Sequence, residues 1–431
     1  MSAPTKAFNT FSAVMLGIGS MVGAGIFIVI GEAGAIAGNI VWLSFVIGGI
    51  AALLSGYSLA KLALRYPSRG GIVEYLVQCF GEGVFSGSGG VLFYLSQLVS
   101  IAAVAKSFGA YAATFMHTPG HWADIFAVGI LLLFILINLL GATFVAKSEN
   151  IIVIVKVTVL SLFTVAALFF VKPELLSVSK MPPMLDMLFA VGLTFFAYQG
   201  FSVITNTVEE MPDPAHTMMR SMFIAIGVVA LLYILTSIAV LGNLPFEKVI
   251  ATKDYALAEA AKPIFGEWGF RIMAATALLA TASAINATLY AATEISYTMA
   301  KEGDLPPIYT YNVYNSYEGL IISGFLILPM ILFFNLAEVT TIAALAVLII
   351  QGITHAGHLL HIRETGANPW LVASAMAAMF AIAWLTLWYT SKDMPLIGYD
   401  LLGTFAVAFA IEMALRFFTQ RVITRQIDSA K

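Results

Sequence analysis

The sequence predicts an all-α membrane protein with about twelve transmembrane helices. Composition gives the first reason: 60% of the 431 residues are hydrophobic, only 10% are charged, and the mean hydropathy is +0.93. A water-soluble domain of this size leaves too much surface facing water to hide so large an apolar fraction. The second reason is arrangement, because the apolar residues fall into repeated stretches long enough to cross a hydrocarbon core of about 30 Å. Third, charged residues collect in the connections between those stretches. The net charge of −3 therefore carries no information about partners.

In chain order the spans fall near 12–36, 40–64, 88–115, 122–143, 149–171, 186–208, 219–242, 268–299, 319–336, 338–361, 369–390 and 396–417. The opening MSAPTKAFNT runs straight into the first span with no small-residue cleavage site, so no removable signal peptide is expected. The single cysteine, Cys79, excludes a disulfide within one chain. With the N-terminus inside, the cytoplasmic connections hold Lys6, Lys61, Arg65, Arg69, Lys147, Arg220, Lys301, Arg363, Arg416, Arg421, Arg425 and Lys431. The outer side holds Lys172, Lys180, Lys248, Lys253, Lys262, Arg271 and Lys392, most of them in one long connection. The asymmetry in short loops predicts both termini in the cytoplasm of a cell with this protein in its cytoplasmic (inner) membrane.

Two connections carry structure of their own. SRGGIVEYLVQCFGE, Ser68–Glu82, mixes glycine with an apolar face and suits a helix lying at the cytoplasmic surface or re-entering. LPFEKVIATKDYALAEAAKPIFG, Leu244–Gly266, has amphipathic periodicity and suits a short outer helix over a vestibule.

The first span contains GIGSMVGAGIF, Gly17–Phe27. Each glycine weakens a helix by about 1 kcal/mol relative to alanine, so four of them invite it to open. An opened backbone in lipid survives only where protein buries it or where it lines a cavity. The sixth span carries a matching interruption, FFAYQGF, Phe195–Phe201. The two lie five spans apart, and five is odd, so a second copy of the unit enters the membrane upside down. Paired glycine-interrupted spans in two halves are a pointer to a secondary transporter site. The other reading of either span alone is close helix packing on small residues.

These stretches resemble an amino-acid permease of the amino acid–polyamine–organocation superfamily. The resemblance rests on GIGSMVGAGIF, PSRGGIVEYLVQCFGE, FFAYQGFSVITNTVEEMPDPAHTMMRS and ASAINATLYAATEISYTMAKEGDLP, and covers most of the chain through span ten. It is nearest to prokaryotic proton-coupled amino-acid transporters with a lysine in span five. It implies one membrane domain over 1–431 with a five-plus-five inverted repeat (the LeuT-like fold), spans 1–5 in 12–171, spans 6–10 in 186–361, and spans 11–12 (369–417) outside it. Helices 1 and 6 are then broken.

The resemblance places a substrate carboxylate against the main chain of Gly23, Ala24 and Gly25, where freed N–H groups and the helix dipole favour an anion. It places the ammonium at carbonyls of Met21, Phe196 and Gln199, with Ala197 beside them. Phe196 matches an aromatic gate. No acidic side chain falls in either interruption, so a neutral amino acid is the expected substrate.

Lys156 lies in NIIVIVKVTVLSLF with apolar neighbours on every side. Counted from Glu149 it sits about 10 Å deep, and Gly19, counted from Thr10, about 13 Å deep on the same side. An intramembrane lysine is costly and usually has a task. The resemblance implies that its ammonium meets carbonyls near Gly19 in place of the sodium ion used by other members of the fold. The alternative is snorkelling to the interface. Ser283 and Asn286 of span eight would complete that proton-coupling wall. Glu294, nearer the cytoplasm, is a candidate relay or inner gate, and Glu209 a candidate inner latch. Lys106 reads as snorkelling. His355, His358 and His361 lack the company a metal site needs and read as interfacial.

The expected function is proton-coupled, sodium-independent import of an L-amino acid by alternating access, with amino-acid exchange as the alternative. No HExxH, nucleophile elbow or Walker loop supports an enzyme or an ATP-driven pump. Neither cofactor nor metal is implied, nor any nucleic acid. Protons, substrate and lipid are the expected partners of a monomer or homodimer.

Overall fold

The computed structural model describes residues 9–116, 122–140, 143–177 and 183–419. Lys6, Lys180, Arg421, Arg425 and Lys431 lie outside the described residues, as does the side chain of Lys147. The chain is an integral, multi-pass α-helical membrane protein. Among the described residues ten helical stretches are long and apolar enough to cross a membrane, one of them running Gly25–Arg65, and the shorter apolar helix Glu318–Phe333 accompanies them. Every predicted span coincides with a helix.

The spans are α1 (Thr10–Ala37), α2 (Val41–Arg65), then after the short α3 (Ile72–Phe80), α4 (Val84–Ala113), α5 (Trp122–Leu140) and α6 (Thr143–Phe169). Span six is composite: α7 (Met184–Phe189), α8 (Val191–Tyr198) and a 3₁₀ segment, Gln199–Glu210. There follow α9 (Pro214–Asn243), the short α10 (Phe246–Ala251) and α11 (Ala256–Glu259), and α12 (Lys262–Glu302). A two-residue-strand hairpin, Asn312–Val313 with Ser316–Tyr317, leads to α13 (Glu318–Phe333) and α14 (Leu336–Leu360). The chain ends in α15 (Ile362–Thr365), α16 (Pro369–Asp393) and α17 (Ile397–Thr419).

Local chemistry sets the helix starts. Asn9 caps α1 by accepting from the Ser12 amide at 2.9 Å. Asn335 and Glu338 form a reciprocal capping box on α14, at 2.9 and 2.7 Å. Asp213 and Asn368 each precede a proline at the first helical position of α9 and α16, where the missing N–H costs nothing.

Helices α1, α2, α8 and α9 pack on one another, as do α4, α5, α12 and α13. Helix α6 touches α9 and α12, and α14 touches α4 and α8, so each bridges the two groups. Large apolar side chains face outward, among them Leu132 and Leu136 of α5, Leu162 and Phe169 of α6, and Phe409 and Phe417 of α17. Such a surface is compatible with hydrocarbon and not with water.

The end at which α1 begins is termed here the proximal face, and the other the distal face. On the distal face the segment predicted as a helix over a vestibule forms α10, α11 and a 3₁₀ turn, Lys253–Tyr255, packed on α1. Its run into α12 bends at Gly266, whose φ of 65° suits glycine. Lys253 pairs with Glu32 of α1 at 3.0 Å, and Glu259 receives Lys248 and Lys262 at 3.3 and 3.1 Å. On the proximal face the segment Ser68–Glu82 forms α3 (Ile72–Phe80). Its apolar side chains Ile72, Val73, Leu76 and Val77 are buried against protein, chiefly α4 and α14.

Three expectations about single residues change. Lys106 does not snorkel to water: its ammonium, on a side chain 11% exposed, pairs with Asp124 at 2.9 Å and donates to the Ile331 carbonyl at 2.6 Å. His355 and His358 are not interfacial but fully buried between α2 and α14. Serines one turn apart on α2 meet them: Ser55 contacts His355 Nε2 at 2.9 Å and Ser58 contacts His358 Nδ1 at 2.7 Å. Only His361 reaches the surface, paired with Glu364 at 2.8 Å.

The distal pair yields a stability prediction. Glu32 is 5% exposed, and removing one partner of a buried ion pair costs about 3–5 kcal/mol. Lys253→Met should lower the melting temperature of the detergent-solubilised protein clearly, and the double variant Glu32→Gln/Lys253→Met should recover most of the loss. A Lys253→Met protein that melts with wild type would refute the assigned strength of this contact.

Candidate functional site

A cavity of about 700 Å³ lies between α1, the 3₁₀ segment of span six, α4, α6 and α12. This is within the usual range for small-molecule sites. Its deep end meets Met21, Gly25, Phe196 and Ala197, and its proximal end reaches Ser12 and the exposed Phe11. Toward the distal face α1 is sealed: Ile26–Ile30 are wholly buried, Tyr111 donates to the Phe27 carbonyl at 3.0 Å, and Lys253 packs against Gly31. The cavity thus extends toward the proximal face, while the distal half of α1 is packed against its neighbours.

The two glycine interruptions behave differently from one another. Span six does break its α-helical pattern, changing to 3₁₀ at Gln199. Hydroxyls support the tighter winding, with Thr205 donating to Ser202 O at 2.7 Å and Thr207 to Ile204 O at 2.8 Å. Span one, expected to be broken, is one continuous helix from Thr10 to Ala37. Here glycine serves contact instead of unwinding. A Cβ on Gly25 would overlap the Ala197 carbonyl, and one on Gly200 would lie 2.5 Å from Ser20. The two spans cross backbone to backbone, and neither position has room for a side chain.

Carbonyls of α1 nevertheless receive donors beyond the helix. Lys156 is 0% exposed, and its ammonium donates to the Gly19 carbonyl at 2.8 Å. The depth match between the two residues is therefore a contact, and Lys156 does not snorkel. Tyr233 of α9 donates to the Met21 carbonyl at 2.7 Å and stands 3.4 Å from the Ala197 carbonyl. Sequence reasoning did not single out Tyr233. Its signal was a tyrosine in an apolar span, whose hydroxyl must find a partner, but nothing local says which.

The other expected residues divide. Met21, Gly25, Phe196, Ala197, Gln199, Gly19 and Ser283 all border the cavity. Gly23 faces α12, where its Cβ would meet Ala284 at 2.9 Å, so it packs and does not line the space. The side chain of Ala24 lies outside the described structure. Asn286 is not among the cavity residues and accepts from Asn138 of α5 at 2.9 Å. Glu294 borders a separate polar recess of about 200 Å³, with Tyr290, Asn138 and the hairpin residues Asn315 and Tyr317. Glu209 pairs with Arg69 at 3.7 Å, and Glu210 with the same guanidinium at 2.9 Å, joining the end of span six to the α2–α3 connection.

A sequence-family model described as amino acid permease matches residues 8–418. The chain is 38% identical over 348 residues to the inner membrane transport protein YbaT of Escherichia coli, covering 80% of this chain and 81% of that protein. It is 26% identical to the methylthioribose transporter of Bacillus subtilis, over 70% of this chain and 69% of that one. It is likewise 26% identical to the branched-chain amino acid permease BcaP of Bacillus subtilis, over 70% and 68%.

The geometry distinguishes adjacent aromatic residues. Phe196 borders the cavity, whereas Phe195 is fully buried and edge-packed on Phe201 at 6.4 Å. Phe196→Ala should change the competition profile of whatever binds, and Phe195→Ala should leave the profile while lowering the melting temperature. Identical profiles for the two variants would remove Phe196 from the site. Gly25→Ala should abolish binding in the purified protein by forcing α1 away from Ala197, and wild-type affinity measured by calorimetry would contradict that.

Proposed function

The chain belongs to the amino acid permease family, and from that premise we propose that it imports a neutral L-amino acid by alternating access, driven by protons and independent of sodium. The observation that carries the reading is the buried hydrogen bond from Lys156 to the Gly19 carbonyl, at the wall of a cavity that extends toward the proximal face. An ammonium is a fixed cation with donors to offer, so it can occupy the place that a sodium ion takes when carbonyls are its ligands.

In this proposal the proximal face is cytoplasmic. Its short connections hold Lys61, Arg65, Arg69, Arg220, Lys301 and Arg363, whereas the distal cations cluster in the long segment around α10 and α11. The structure then corresponds to the state open to the cytoplasm. The grouping of α1 and α2 with α8 and α9, and of α4 and α5 with α12 and α13, supports assigning 12–171 and 186–361 as inverted repeats, with α16 and α17 outside them.

The substrate carboxylate is assigned to the main chain of Gly23, Ala24 and Gly25, and the ammonium to the carbonyls of Met21, Phe196, Ala197 and Gln199. Because α1 is helical here, binding requires it to open locally, which glycine makes cheap. The Met21 carbonyl accepts from the Tyr233 hydroxyl, so an incoming ammonium takes over or shares that acceptor. Phe196 closes over the bound molecule. Glu209 and Glu294 are assigned to the inner side, Glu209 through its pair with Arg69 and Glu294 beside its separate recess.

Coupling follows from the same carbonyls. While α1 lies against α6, Gly19 stabilises the protonated amine of Lys156. Movement of α1 on substrate release removes that partner, and the proton leaves with the substrate. Occupancy by both is linked through one conformational equilibrium.

Lys156→Met keeps the side chain's length and removes its charge. In proteoliposomes with outside pH below inside pH, wild type should concentrate labelled amino acid, and Lys156→Met should not rise above its own level without a gradient. Concentrative uptake by the methionine variant would show that coupling resides elsewhere.

A further inference from the structure

The relatives named above carry different cargoes by name, so the side chain that this protein selects has to be read from its own cavity. The wall supplied by α4 places Gln97, Ser100 and Val104 on one helical stripe facing the space. Among the described residues no hydrogen bond engages the side chain of Gln97. Opposite, in the 3₁₀ segment, the side-chain oxygen of Gln199 is buried with no partner. An amide oxygen kept from water without a donor is destabilising unless something else supplies one. The Gln97 amide therefore borders the cavity with its capacity unspent, while the Gln199 oxygen is unsatisfied but shut off from the space.

The rest of the lining has the same character. Ser100 donates to the Ser96 carbonyl at 2.8 Å, which leaves its oxygen lone pairs free to accept. Ser20, Ser202 and Thr288 add further hydroxyls. Neither Asp, Glu, Lys, Arg nor His is among the residues bordering the cavity. A charged cargo side chain would lose its hydration there without a counter-charge, and an aliphatic one would leave the Gln97 amide unpaired.

Resting on the transport reading above, we propose that the cargo is an amino acid with an uncharged hydrogen-bonding side chain, an amide or a hydroxyl. Gln97 pairs with that side chain, offering both an N–H donor and a carbonyl acceptor. Sites built to hydrogen-bond a substrate group reject analogues that lack it far more strongly than apolar pockets reject an extra methylene. Gln97 is thereby the residue that sets specificity.

The test uses purified full-length protein in proteoliposomes, with L-glutamine, L-asparagine, L-serine, L-leucine and L-lysine as labelled probes. Wild type should take up at least one of the first three with a kcat/KM about tenfold or more above that for L-leucine and L-lysine. Gln97→Leu should reverse the ratio of the preferred polar probe to L-leucine, and Gln97→Glu should bring in L-lysine. Gln97→Met serves in place of the leucine variant should the latter elute aggregated. A wild-type preference for L-leucine or L-lysine overturns the inference while leaving amino-acid transport intact. Uptake of no amino acid at all overturns the transport reading itself. Unchanged selectivity in the Gln97 variants shows that another residue reads the side chain.

Discussion

The ammonium of Lys156, held out of water against the Gly19 carbonyl, ties the fifth span to the glycine-rich half of the first. An ammonium at such depth is costly to bury, so its hydrogen bond to Gly19 favours α1 staying against α6. The neighbouring contacts follow from holding α1 there. Tyr233 reaches the Met21 carbonyl, Gly25 lies on the Ala197 carbonyl, and Gly200 lies on Ser20. Three spans thus converge on consecutive turns of one helix, and the cavity is the space left beside that convergence on its proximal side.

The two faces are closed by contacts of unequal worth. Distally, Glu32 and Glu259 are buried and each meets lysine, in a layer of short helices packed across α1. Proximally, Arg69 reaches Glu209 and Glu210 across exposed ground, with the arginine side chain 66% exposed. Exposed pairs contribute about 0–1 kcal/mol, whereas breaking a buried pair costs several times that. The imbalance makes the distal layer the costlier of the two to separate. It also locates where the free energy of substrate and proton binding has to act if the distal side is to open.

Polar groups within the bundle divide into those that hold helices together and those that face the cavity. Ser55, Ser58, His355 and His358 bind α2 to α14, and Asn138 binds α5 to α12. Gln97 belongs to the second kind, an amide bordering the cavity without a protein partner among the described residues, whereas the Gln199 oxygen is buried without one. The same distinction corrects the first impression of the histidines. Their i, i+3 spacing places them along one side of α14, yet whether that side meets headgroups or the serines of α2 is a matter of packing.

The spans, the membrane setting, the glycine positions that admit close approach and the depth of Lys156 were all legible in the sequence. Each depends only on local hydropathy, helical rise or the absence of a side chain, quantities that a single segment carries by itself. The same segment could not say that α1 stays helical through its glycines while span six turns to 3₁₀, for both runs look equally weak. Nor could it say that Gly23 and Asn286 do not border the cavity, that Lys106 finds Asp124, that Tyr233 reaches the Met21 carbonyl, or that Gln97 borders the cavity. Those outcomes depend on the rotation and crossing of helices far apart in the chain. Periodicity determines which residues share a face, and only the packed bundle decides what that face meets.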